Sequence, residues 1–328
     1  MSYNKRYKIS RVISDLRNGF CVCLVKNASK TLFFCKNTIH PEILENLKNY
    51  TIVTTKEYFN YNYNQNVTEN VVLSKNYSFQ YDANVTDNLA IQLAKVAELE
   101  PILIKVEGIE PPTPCEEINV DDIDYDIRNF QYEVSFLAKS RIQLANAQNA
   151  EIYAFGSKFG GHEHYAILIN NPLEQEHPLV RIHSSCYTGD LLASLRCDCR
   201  DQLQESISFM NKTSGILLYI MQEGRGIGLA NKIKAYSLQQ EEGLDTVESN
   251  FALGFEDDER SFVPAFKILE FFQKTSIRLI TNNPKKVDDL SSFNINVVET
   301  VPTYLNPHEY NQEYLQVKKD KMGHVINV

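Results

Sequence analysis

Gly215-Ile-Leu-Leu-Tyr-Ile-Met-Gln-Glu-Gly-Arg-Gly-Ile-Gly-Leu229 is the stretch from which the rest of the chain can be read. Gly215–Met221 is a short apolar run of the kind that forms a fully buried strand. The glycines that follow mark a turn, and Leu229–Leu238 continues as a helix through Leu229, Ile233 and Tyr236. A glycine-rich strand-to-helix turn exposes backbone N–H groups and aims a helix N-terminus at an anion. Glycines also serve ordinary tight turns; Arg225, with its planar fork, favours the phosphate reading. Working outward, Glu151–Phe155, Tyr165–Ile169 and Val180–His183 read as strands and Gln202–Met210 as a helix. Phe262–Phe272 is amphipathic at helical spacing, and Ile277–Thr281 is a strand. Asn283-Pro284 is an N-cap with proline at the first helical position, and Ile295–Val298 is a last strand. Strands alternate with helices, which predicts an α/β or α+β domain with a mixed sheet and flanking helices over 134–328.

The first 106 residues mix shorter signals: a helix at Ile9–Leu16, a strand pair at Phe20–Val25 and Thr31–Cys35, helices at Pro41–Leu47 and Asn88–Val96, and a polar loop at Asn60–Asn66. They predict a smaller α+β domain with no evident chemistry. The 328 residues carry a net charge of −9, with 33 Lys+Arg against 42 Asp+Glu. Eight of the acidic residues fall between Glu107 and Asp126, a stretch with no Lys or Arg that also holds Pro111-Pro112-Thr113-Pro114. Like charges and prolines extend a chain, so residues 107–133 are expected to be a linker; the rival reading is an acidic peptide docked in a basic groove. Without that stretch the balance is close to neutral. The charge disfavours a broad nucleic-acid surface but not a small phosphate pocket. No apolar run approaches the length of a membrane span, and no secretory leader is evident.

Seven cysteines, an odd number without a secretion signal, point to a reducing cytoplasm rather than a disulfide framework. Cys21, Cys23 and Cys35 lie in apolar text and read as buried hydrophobes. Cys186, Cys197 and Cys199 have polar neighbours. Three thiolates suit a catalytic zinc with an open fourth position, or a structural zinc closed by His183; absence of a metal is the third reading. Lys285 and Lys286 stand in the first turn of a helix, where the macrodipole disfavours cations; they either face an anion or are simply solvated. Glu256-Asp-Asp-Glu-Arg260 is either a solvated loop or a carboxylate and an arginine aimed at a substrate.

These pieces, in order, resemble GTP cyclohydrolase II. The resemblance runs through Val180-Arg-Ile-His-Ser-Ser-Cys-Tyr-Thr-Gly-Asp190, Ser194-Leu-Arg-Cys-Asp-Cys199, Gln222–Leu229, Asn231–Tyr236, Asp245-Thr-Val-Glu248, Asp258-Glu-Arg260, Thr281–Lys286 and Lys321-Met-Gly-His324. It implies zinc-dependent hydrolysis of GTP with imidazole ring opening at C8. Formate and pyrophosphate would leave, giving 2,5-diamino-6-ribosylamino-4(3H)-pyrimidinone 5′-phosphate, the first step of riboflavin synthesis. It further implies one zinc per chain on Cys186, Cys197 and Cys199, with His183 not a ligand, and Mg²⁺ with the triphosphate. Arg181, Ile182, His183, Ser184, Ser185, Gln202, Glu223, Gly224, Arg225, Thr246, Thr281 and Lys286 would contact GTP. Asp258 would be the proton acceptor, Arg260 would act at the α-phosphate, and Tyr236 would serve the ring chemistry. A homodimer is implied as well.

Three positions depart from the family pattern. Ser185 stands where Glu is usual, Arg200 where Gly is usual, and Met221 where Arg is frequent. They open two rival expectations: a homologue that acts on another purine nucleotide or stops at the formamide, and a non-catalytic zinc- and GTP-binding module. Residues 1–106 are faintly similar to a 3,4-dihydroxy-2-butanone 4-phosphate synthase domain, from Ile9 to Gly19 and from Thr38 to Glu42. The acidic metal motif of that family is replaced here by Lys26-Asn-Ala-Ser-Lys30, so the expectation is a scaffold or interface without synthase activity.

Overall fold

The computed structural model describes residues 3–75, 80–123, 127, 134–156, 161–303, 316 and 319–320. The chain divides into two compact units, one of Met1–Gln131 with Gly226–Glu259 and one of Tyr132–Arg225 with Arg260–Val328.

The first unit is built on a seven-stranded sheet: β1 (Val22–Lys26), β2 (Ser29–Cys35), β3 (Thr51–Thr54), β4 (Val71–Ser74), β5 (Gln80–Asp82), β6 (Ile102–Glu107) and β7 (Glu117–Asn119), in the order β5-β4-β3-β6-β2-β1-β7. All pairings are antiparallel except β1 with β7, so the sheet is mixed. Its helices include α1 (Tyr3–Arg17), α2 (Pro41–Asn46), α3 (Lys56–Tyr63) and α4 (Val85–Val96). Asn84 caps α4 through a reciprocal box with Asp87, which satisfies N–H groups that the helix itself cannot. Cys21, Cys23 and Cys35 are buried and free, as small apolar side chains.

The second unit also has a seven-stranded mixed sheet: β8 (Ser135–Leu144), β9 (Ala147–Gly156), β10 (His164–Ile169), β11 (Leu179–Ser184), β12 (Gly215–Ile220), β13 (Ser276–Ile280) and β14 (Asn296–Val301), in the order β14-β13-β11-β12-β10-β9-β8. β8, β9, β10 and β12 pair antiparallel, whereas β12, β11, β13 and β14 run parallel. Side chains alternate across a strand. Val180, Ile182, Ile216, Leu218 and Ile220 therefore share one core with Phe262, Ala265, Ile268 and Leu269. Leu179 and Leu217 face the other way, against Ile207 and Met210 of α5 (Cys199–Thr213). Arg181 and His183 keep step with Leu179 and so project on the α5 side.

After β12 the chain enters the first unit, where it forms α6 (Leu229–Glu242) and α7 (Thr246–Ala252), and it then rejoins the second unit with α8 (Val263–Phe271) and α9 (Pro284–Ser292). Asn283 caps α9 by accepting from the Lys285 N–H.

Two expectations are corrected. Asn60–Tyr63 is the end of α3 rather than loop, because Thr55 caps the helix and Phe59, in tilted ring contact with Tyr63, is buried. The region read as a linker contains β7, whose Ile118 is buried. Two of its carboxylates are paired, Glu116 with Lys8 and Glu117 with Lys30. Residues 124–126 and 128–133 of that stretch, and the motif Lys321–His324, lie outside the described residues. The unit that holds the N-terminus has a seven-stranded sheet of its own and also incorporates Gly226–Glu259.

Candidate active site

The carboxyl ends of the three adjacent parallel strands β12, β11 and β13 carry Gln222–Arg225, Ser185–Cys186 and Thr281 respectively. Open sheets gather ligand-binding residues at such ends.

Cys186, Cys197 and Cys199 place their sulfurs within 4.8 Å of one another. Cys186 Sγ and Cys197 Sγ are 3.7 Å apart. Two sulfurs on one tetrahedral zinc, each at about 2.3 Å, would stand about 3.8 Å apart. The chemistry of the trio agrees with the spacing. The hydrogen bond with Cys186, with burial behind it, pushes Cys197 up to about 11. Hydrogen bonds with Cys186 and Cys197, then burial, push Cys199 well above the ordinary thiol value. Three crowded thiols resist losing their protons until a cation compensates the charge, and a bound divalent metal reverses that preference. Cys199 also opens α5, where the helix N-terminus favours an anion. Gly189 closes the cradle: a Cβ there would lie 2.8 Å from Cys197 Sγ and 3.0 Å from Cys186 Sγ. The residues present thus fit zinc.

Asp190 organises the loop that bears Cys186. Its carboxylate accepts from the Cys186 N–H at 3.1 Å and from the Tyr219 hydroxyl at 2.8 Å. His183 Nε2 points at the same carboxylate. Burial lowers the His183 pKa against the opposing pull of Asp190, and a neutral ring that donates from Nε2 suits the carboxylate it faces. Its other face stacks on Tyr219, with centroids 5.5 Å apart. Neither Asp190 nor Tyr219 was singled out in the sequence; the signal was the i, i+4 spacing from a candidate ligand to a carboxylate.

Arg181 is buried, donates from Nη1 to Ile280 O at 3.1 Å and from Nη2 to Gln202 Oε1 at 2.6 Å, and leaves Nε without a hydrogen-bond partner. Burial lowers its pKa to about 10, with Arg260 contributing in the same direction; the guanidinium stays charged at neutral pH. Gln202 in turn donates to Asp198. Lys286 is buried and donates to Ile182 O at 3.0 Å, while Lys285 is exposed. Lys286 Nζ lies 5.6 Å from the centroid of the Phe262 ring, and Arg260 Cζ lies 6.0 Å from it. Phe262 thus joins two of the expected cations, a role its helical spacing had concealed.

Glu223 links the glycine turn to the loop that bears Cys186, accepting from the Tyr187 N–H and from the Gly224 N–H. Gly224 and Arg225 both adopt φ of 61°, a left-handed conformation uncommon for arginine. Ser184 Oγ accepts from Gln222 Nε2, and Thr281 Oγ1 accepts from the Asn283 N–H. The Ser185 N–H donates to Ile220 O, but its hydroxyl is buried without a hydrogen-bond partner. Tyr236 on α6, Thr246 at the start of α7, and Asp258 belong to the first unit; every other expected site residue belongs to the second.

A sequence profile of the family described as GTP cyclohydrolase II matches residues 136–302. The chain is 41% identical over 248 residues to a GTP cyclohydrolase-2 of Azospirillum brasilense, which spans 72% of this chain and 64% of that relative. It is 48% identical over 181 residues to a GTP cyclohydrolase-2 of Vibrio vulnificus, spanning 55% of this chain and 91% of the relative. It is 47% identical over 174 residues to a riboflavin biosynthesis protein of Phocaeicola vulgatus, spanning 53% of this chain and 43% of the relative. The chain therefore spans less than two thirds of the first and last of these. A solved two-domain 3,4-dihydroxy-2-butanone 4-phosphate synthase from A. baumannii covers 91% of this chain at 14% identity with a TM-score of 0.32, too slight a likeness to bear on residues 1–131. Among the described residues no helix is long and apolar enough to cross a membrane.

Proposed function

Since the chain belongs to the GTP cyclohydrolase II family, we propose that it hydrolyses GTP, opening the imidazole ring at C8 and releasing formate and pyrophosphate. The product would be 2,5-diamino-6-ribosylamino-4(3H)-pyrimidinone 5′-phosphate, which serves riboflavin synthesis. The observation that carries this reading is the convergence of three thiols and the buried Arg181 at the carboxyl ends of parallel strands.

Cys186, Cys197 and Cys199 would hold one zinc, which when bound supplies a Lewis acid for the hydrolysis. Arg181, Arg260 and Lys286 bind and orient the negatively charged triphosphate, with which Mg²⁺ would supply charge neutralisation. Gln202, fixed between Arg181 and Asp198, Ser184 beside Gln222, and Thr281 contribute polar contacts. Asp258 accepts the proton given up during attack at C8, Tyr236 assists the ring chemistry, and Thr246 contacts GTP. A guanidinium stays protonated and is a poor nucleophile, so Arg260 stabilises charge developing at the α-phosphate. The working protein is a cytoplasmic homodimer.

The test is turnover of GTP with Mg²⁺ by zinc-loaded protein, following formate, pyrophosphate and the pyrimidine together. Absence of formate overturns the reading. A second reading draws on Ser185, whose hydroxyl is buried without a partner where the family usually has a carboxylate. The enzyme would then stop at the formamide or prefer another purine nucleotide, and the product mass distinguishes these outcomes.

A further inference from the structure

The segment Gly226–Glu259 includes Tyr236, Thr246 and Asp258, yet it is residues 1–131 that support it. Thr55, at the head of α3, is buried and donates from Oγ1 to Gly254 O at 2.8 Å. Gly254 has φ of +89°, and a Cβ there would meet Pro101 Cγ at 3.0 Å and Thr55 Oγ1 at 3.2 Å. The chain is therefore pressed directly onto this support. Asn62 Nδ2 donates to Ala252 O, and Asn231 Nδ2 donates to Glu98 O.

At the far end of the same loop, Lys95 Nζ from α4 is paired with Glu259 Oε1, and the side chains are only 11% and 5% exposed. The same carboxylate oxygen accepts the Glu256 N–H at 2.9 Å. Within the loop, Asn250 Nδ2 donates to Glu256 O at 3.1 Å. The loop is thus fixed at Gly254, at Glu256 and at Glu259, and Asp258 immediately precedes the last of these. A partly buried, hydrogen-bonded ion pair restrains its partners far more than an exposed one.

We propose that Lys95 and Thr55 are positioning residues for GTP hydrolysis, holding the loop Gly254–Glu259 so that the Asp258 carboxylate is set for proton transfer. Residues 1–131 are on this view a support for that loop. The inference rests on the reading of Asp258 as proton acceptor given above. A misplaced acid–base group slows the chemical step more than it weakens ground-state binding, which separates positioning from a merely structural role.

The experiment compares wild type, Lys95→Met, Lys95→Arg, Glu259→Gln and Thr55→Val as full-length, zinc-loaded chains. Lys95→Met and Glu259→Gln are each expected to lower kcat for formate release about tenfold with KM changed less than about threefold. The double variant should lose little more than either single one, and Lys95→Arg should retain most of the rate. Amide exchange at Glu256, read by NMR or mass spectrometry, should quicken in Lys95→Met. A kcat within twofold of wild type, a loss confined to KM, or losses that multiply in the double variant overturns the inference. If wild type releases no formate, it is the activity reading that fails, and unchanged exchange at Glu256 would overturn the positioning separately. Should Lys95→Met fail to fold, Thr55→Val with the same two readouts decides.

Discussion

His183 Nε2 lies 3.1 Å from each carboxylate oxygen of Asp190, and that carboxylate also receives the Tyr219 hydroxyl and the Cys186 N–H. One acidic side chain thereby sets the orientation of the loop bearing Cys186, a proposed zinc ligand. Asp190→Asn keeps the shape but has one oxygen for three donors and adds a donor of its own. Partners behind metal ligands typically matter about 10–100-fold in affinity, so zinc affinity should fall by that range. Competition with a chromophoric chelator measures it, and an affinity within twofold of wild type would contradict the assigned role.

Gly189→Ala should prevent zinc from binding at the proposed site by crowding. The new methyl would stand 2.8 Å from Cys197 Sγ, and Cys199 Cβ is only 3.1 Å away. The sulfurs must separate, and a tetrahedral site tolerates little change in its roughly 2.3 Å bonds. Metal analysis after dialysis should show well under one zinc per chain, while circular dichroism remains that of the folded protein.

Acid stability should depend on His164. This side chain is 3% exposed, and its Nδ1 accepts the Met221 N–H at 3.1 Å, so protonation breaks a bond as well as burying a charge. Burial lowers its pKa from 6.5 to about 4. The unfolded chain therefore takes up this proton at a higher pH than the folded one. The stabilisation is complete above pH 6.5 and is lost as pH falls towards 4, with a loss of roughly 3 kcal/mol at the lower end. His164→Asn, which keeps an acceptor but no titrating ring, should flatten that slope in urea unfolding followed at pH 4 and pH 7.5. An unaltered slope would rule His164 out as its source.

The core of the second unit was legible because it obeys period. Gly215–Met221 and Val180–His183 announced buried strands, and Phe262–Phe272 announced a helix, since their apolar spacing reflects two-sided and one-sided burial. The thiol trio was legible from polar neighbours around closely spaced cysteines. The two lysines at the start of α9 were half understood: the buried Lys286 is met by the carbonyl of Ile182, a backbone acceptor that sequence does not reveal. Edge strand β8 gave no signal because its residues are mostly exposed and need no alternation. Asn60–Tyr63 is helical against its weak propensity because burial of Phe59 and the Thr55 cap outweigh that preference. The placement of Gly226–Glu259 was illegible for a different reason: boundaries are sought along the chain, whereas Thr55 reaches Gly254 across 199 positions.

That discontinuity has a consequence for synthesis. A ribosome that has delivered residues 1–131 has made a sheet whose Thr55 and Lys95 still lack their partners, because Gly254 and Glu259 follow only after the second unit's first segment, roughly ninety residues long, has been added. At roughly 5–20 residues per second, this interval is on the order of ten seconds. During it the nascent first body must wait incomplete, so slowed translation through Tyr132–Arg225 prolongs the exposure of a half-finished surface to chaperones and proteases.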